Sequence, residues 1–157
     1  MRGQRFAGLY DVPTAAYWRT RYVPNLRWNF DHLVLSHLTA EEQRAVAGVG
    51  ASFPLRDDAD PFTYYVAGEP PMITISVSSI RFLDDLATAI AWLDRHGCSI
   101  DPVAQYAGVL KYRRANMFPG GRFPLPLPGL GIPEDALRDA AVDQAAQRML
   151  KSAVVFM

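Results

Sequence analysis

Three histidines, one cysteine and two adjacent aspartates are the residues of this 157-residue chain whose types suggest chemistry. Asp31, His32 and His37 lie close together, but a five-residue spacing puts the two imidazoles on different faces of a helix. A helical zinc pair needs i, i+4 spacing so that both rings reach one ion, and no histidine pair here has it. His32 and His37 therefore read as ordinary polar residues on a helix or strand edge. His96 falls in the last turn of a helix, where the dipole accounts for it without catalysis. Asp84 and Asp85 are neighbours in sequence, so they are expected to point apart and to make a poor general acid/base pair. Cys98 is alone, so it forms no internal disulfide, and it is expected to be a small packed residue. Gly120-Gly121 lacks the strand-loop-helix setting of a phosphate loop. No Ser/His/Asp set is recognisable by spacing. Accordingly no catalytic, cofactor-binding or metal-ligating residue is assigned.

The elements that would position any site centre on Met72 to Gly97. Ile73, Ile75 and Val77 alternate with Thr74 and Ser76, the period of a half-buried strand. Ser78 or Ser79 is expected to cap the helix that follows. Phe82, Leu83, Leu86, Ala89, Ile90 and Leu93 give that helix one apolar stripe, and Gly97 ends it.

Upstream, residues 1 to 30 hold Tyr10, Tyr17, Trp18, Tyr22, Trp28 and Phe30, broken by Pro13 and Pro24. They read as a segment wrapped onto the domain, with large rings buried and arginine stems over them. Leu26 to Leu38 fits a helix or a short strand. Thr39 and Glu42 form a capping box, and the helix they open should end near Ala47 before Gly48 and Gly50. Arg56 to Pro61 is a polar turn, and Phe62 to Val66 alternates as a second strand. With Pro70 and Pro71 in the connection, it should pair antiparallel with Met72 to Val77. Downstream, Asp101 is expected to cap a helix with Pro102 at its first position. Prolines at 124, 126 and 128 favour an extended connection draped over the core. Pro133 to Asp139 reads as a helical turn. From Ala141 a last helix carries an apolar stripe through Val142, Ala146, Met149, Leu150 and Val154 to Met157.

Half the residues are hydrophobic, and 16 basic side chains balance 16 acidic ones. That is globular composition, with no net field to draw the chain to nucleic acid. No run approaches the ~18 apolar residues of a membrane span, and the first twenty residues lack a signal-peptide core. The default compartment is the cytoplasm, unless a leader lies upstream. The expected fold is α+β, a single domain over 1–157 with a small antiparallel β element packed against several helices.

The stretch ISVSSIRFLDDLATAIAWLDRHGCSIDPVAQYAGVLKYR, with GGRFPLPLPGLGIP and AAQRMLKSAVVFM, resembles the N-terminal part of a family of uncharacterised bacterial zinc metallopeptidases. The likeness covers about Phe62 to Met157. It implies that a helix resembling KSAVVFM continues into an HExxH segment, whose histidines would bind zinc and whose glutamate would activate water. None of those residues is present, so no catalytic residue carries over. The resemblance implies a domain incomplete at its C-terminus, inactive by itself, with no cofactor in this chain and zinc only in a longer relative. Self-association through the apolar C-terminal helix is a further expectation. The alternative is a small non-catalytic binding module of toxin-neutralising or adaptor type. Substrate and partner are not specified by these residues.

Overall fold

The computed structural model describes residues 9–55, 65–67 and 71–156. The polar turn at 56–61, the first part of the strand read at 62–66 and Pro70 lie outside the described residues. So do Met157 and the side chains of residues 151–156.

The chain is mainly helical, which corrects the α+β expectation. Helix α1 spans Val12–Asn29, where a wrapped aromatic segment was expected. Asp11 starts it by accepting from Thr14 N at 2.7 Å through its carboxylate. Pro13 falls in the first turn, where its missing N–H would have had no helical acceptor. Pro24 removes one internal hydrogen bond, and the helix carries on past it. A π-helical turn, Phe30–Val34, and a 3-10 turn, Leu35–His37, follow directly. Thr39 then opens α2, Ala40–Ala45, with both halves of the capping box made.

The sheet is small. Strand β1 is Gly50–Ser52, β2 is Tyr65–Ala67 and β3 is Met72–Thr74. In the order β1-β3-β2, β1 runs parallel to β3 and β2 lies antiparallel on the other edge. Only the first half of the MITISV stretch is strand. The Ser76 side chain accepts from Ser79 N at 3.0 Å, so helix α3, Val77–Arg95, begins at Val77. Ser76 is therefore the cap, in place of Ser78 or Ser79. Pairing with the β1 side nevertheless continues, because Ile75 N and Val77 N donate to Ser52 O and Pro54 O.

Helix α3 is the axis of the molecule. Four hydrophobic clusters meet it on different sides. Val77 and Ile80 pack with Phe53 and Leu150; Phe82 packs with Tyr106 and Phe123. Leu93 packs with Leu127 and Ile132, and Ala87 and Ala91 pack with Val142 and Ala146. The single apolar stripe is thus one of several buried faces, and Leu86 on it is only half-buried. The helix ends as expected: Gly97 takes φ 65°, Gly97 N reaches Asp94 O, and Cys98 N reaches Leu93 O.

Helix α4, Asp101–Tyr112, already includes Asp101: Ile100 holds the N-cap position and makes no side-chain cap. The proline segment does lie over the core, but it is not extended throughout. Leu125 is extended, and Pro126–Gly129 turns into a short helix, α5, that buries Pro126 and Leu127. A 3-10 turn at Glu134–Arg138 leads to α6, Ala140–Phe156. Alanines at the α3–α6 contact let the two helices approach closely.

Candidate functional site

The most unusual feature of the interior is a charged cluster on the second and third turns of α3. Arg81, Asp84 and Asp85 sit at i, i+3 and i+4, and all three are buried, at 7%, 4% and 3% exposure. Arg81 Nη1 lies 3.3 Å from Asp84 Oδ2, and Nη2 contacts Asp85 Oδ1. The guanidinium fork thus reaches both aspartates, which corrects the expectation that they point apart. Asp85 Oδ1 meets Arg81 as an ion pair outside hydrogen-bonding alignment.

Two tyrosines complete the cluster from far along the chain. Tyr10 Oη donates to Asp85 Oδ2 at 2.6 Å, and Tyr22 Oη donates to Asp84 Oδ2. The Trp18 ring covers Arg81, with Cζ 3.8 Å from its centroid, and stacks on Tyr22 at 5.5 Å. Trp18 and Tyr22 are one turn apart on α1, so the cluster fastens α1 and the residue before Asp11 to α3.

Two carboxylates share one guanidinium in a site shielded from water, and the imbalance sets their ionisation. Burial pushes the Asp85 carboxyl up to about 6, against the opposing pull of Arg81 and the Tyr10 hydroxyl. Burial also raises Asp84, while Tyr22 and Arg81 oppose the rise. Burial likewise raises Tyr10 and Tyr22, helped by the neighbouring aspartates, so both phenols stay protonated and keep donating. Burial works against the charge on Arg81, but Asp85, Tyr22 and Tyr10 together outweigh it and raise the guanidinium above its ordinary value. The groups face one another and not a cleft. Their chemistry is internal pairing.

A second feature adjoins it. The Tyr22 ring, whose hydroxyl serves Asp84, also lines a cavity of about 210 Å³ between α1 and α6. Asn25, Leu26, Trp28, Asn29, Gln147 and Leu150 line it too.

The histidines do not converge. His32 Nδ1 lies 2.8 Å from Trp28 O and its ring stacks on Trp28; His96 repeats the arrangement on Trp92. His37 is exposed. Among the described residues no three His, Cys, Asp or Glu side chains are grouped to hold a metal ion. Cys98 is exposed, correcting the expectation of a packed residue: the turn after Gly97 places it outside the core. Sequence reasoning missed the tyrosines of the cluster, because their partners lie 62 and 75 residues away. The Arg81-Asp84-Asp85 spacing was the available signal.

Comparison with protein-family models, curated proteins and solved structures finds no match. No helix among the described residues is long and apolar enough to cross a membrane.

Proposed function

We propose that this chain is the scaffold portion of a zinc metallopeptidase-like protein, without peptide-cleaving activity of its own. What supports the reading is α6, the helix that resembles the lead-in to an HExxH segment. It is helical through Phe156, and Val142 and Ala146 fix its first turns against α3. A helix held in this way would orient whatever its continuation carries. The described residues do not fit a zinc site, so no step is assigned to them. The test is to express this chain joined to the sequence encoded directly downstream, then to measure bound zinc and peptide cleavage. Zinc and cleavage that depend on an HExxH segment support the reading. A reading frame that closes at Met157, or continues without HExxH, overturns it.

The same reading includes a cytoplasmic location and self-association through the apolar C-terminal helix. Deleting Ser152 to Met157 should lower association, read by sedimentation, while leaving the melting temperature within a few degrees. A monomeric chain that unfolds on this deletion would favour the second reading, a small non-catalytic binding module. The cavity between α1 and α6 supports that alternative.

A further inference from the structure

The α1–α6 cavity has the size and lining of a small-ligand site. Its volume of about 210 Å³ is room for about seven waters at ~30 Å³ each. Tyr22, Trp28, Leu26 and Leu150 supply apolar wall, and Asn25, Asn29 and Gln147 bring side-chain amides to the lining. Asn29 is 6% exposed, lines the cavity, and its side chain has no hydrogen-bond partner among the described residues. Its amide atoms are not sealed from solvent, so they are open to pair with whatever occupies the cavity. Gln147 faces the same space from α6. Asn25 spends its Nδ2 on Arg21 O at 3.2 Å, which leaves its carbonyl oxygen to accept.

The backbone is irregular at the same place. Asn29 is the last residue of α1 before the π-helical turn Phe30–Val34, and Pro24 has already removed one bond from the helix. π-Helical turns recur at functional sites because the wider turn re-aims side chains.

We propose that this cavity binds a small, uncharged, planar molecule carrying an N–H beside a C=O, the cyclic-amide edge found on a nucleobase such as uracil. Asn29 supplies the complement: Nδ2–H donates to the ligand carbonyl, and Oδ1 accepts from the ligand N–H. The Tyr22 and Trp28 rings give a flat molecule aromatic surface to lie against. No Lys, Arg, Asp or Glu is among the described lining residues. A charged ligand would lose its hydration there without a counter-charge. The proposal does not depend on the metallopeptidase reading, and either stands if the other fails.

The test is calorimetry and ligand-observed NMR on the intact chain with uracil as the probe, and with 1,3-dimethyluracil as the form whose N–H groups are blocked. Uracil should bind saturably, the dimethyl form should bind at least about tenfold more weakly, and Asn29→Ala should weaken uracil by about tenfold. Gln147→Ala serves as a second variant, with circular dichroism checking that each still folds. No saturable uracil binding overturns the proposal, as does equal binding of the two probes. Should neither variant fold, the comparison of the two probes on the unaltered chain decides.

Discussion

The Tyr22 hydroxyl donates to Asp84, 62 residues further along the chain, while the ring of the same tyrosine walls the α1–α6 cavity. One side chain therefore serves two features, a buried ion cluster on one side and an open space on the other. Removing the hydroxyl without the ring separates the two. Tyr22→Phe leaves Asp84 with Arg81 but without its phenol donor, in a site where water cannot replace it. Urea melts should show a loss of about 1–3 kcal/mol. A loss under about 0.5 kcal/mol, the range of surface substitutions, would mean that the Tyr22–Asp84 bond adds no net stability.

Core substitutions should rank by how α3 is buried, not by membership of its apolar stripe. Phe82 is fully buried against Tyr106 and Phe123, so Phe82→Ala should cost about 3–5 kcal/mol. Leu86, one turn further along the same stripe, is half-buried and should cost clearly less than Phe82. Equal losses for the two in denaturant melts would contradict this burial order.

Local signals were legible in the sequence, and long-range ones were not. The Thr39–Glu42 capping box, the Gly97 stop and the helical character of 82–93 depend on residues within a few positions of one another. Each formed as the spacing required. The misreadings came where neighbours in space decide. Residues 1 to 30 read as a wrapped aromatic segment broken by two prolines, yet Pro13 sits in the first turn of α1 and Pro24 is tolerated within it. The MITISV alternation is real, but Ser76 turns to cap α3 and cuts the strand short. Strand β1 had no alternation to find: its three residues, Gly50-Ala51-Ser52, lie parallel to β3 through main-chain bonds. The ion cluster draws on Tyr10 and Tyr22, which no spacing rule connects to α3.

Close packing also restricts the connection over α4. A Cβ on Gly129 would stand 2.8 Å from a Tyr106 ring carbon, and that ring is held by its own hydroxyl bond to Pro124 O. The ring cannot withdraw without losing the bond, so Gly129→Ala should destabilise by about 1–3 kcal/mol. Pairing it with Tyr106→Leu should recover part of the loss, because the clash is then relieved. Two losses that simply add in a double-mutant cycle would mean that Gly129 and Tyr106 are not coupled.

The ion cluster should make stability fall as pH rises across the mildly acidic range. Asp85 is raised from 3.8 in the open chain to about 6 in the fold, with Arg81, Asp84 and Tyr10 as the charged and titratable groups that contribute to its shift. A carboxyl with a raised folded value binds its proton more tightly folded than unfolded. Its contribution is therefore fully present below pH 3.8 and is lost as pH rises through about 6. Asp84 is raised as well and acts in the same direction. Asp11, Glu42 and Asp139 are held low by hydrogen bonds, so they oppose this trend, chiefly at the acid edge of the window and below it. The unfolding free energy from urea melts should therefore increase as pH drops from about 7 to about 4.5, by a total on the order of 2 kcal/mol, and the midpoint should rise with it. Asp85→Asn removes the titrating group, so its stability should be flatter over the same interval, whatever its absolute value. An unaltered chain whose midpoint rises with pH there, or a variant with the parental slope, would assign the dependence to other groups.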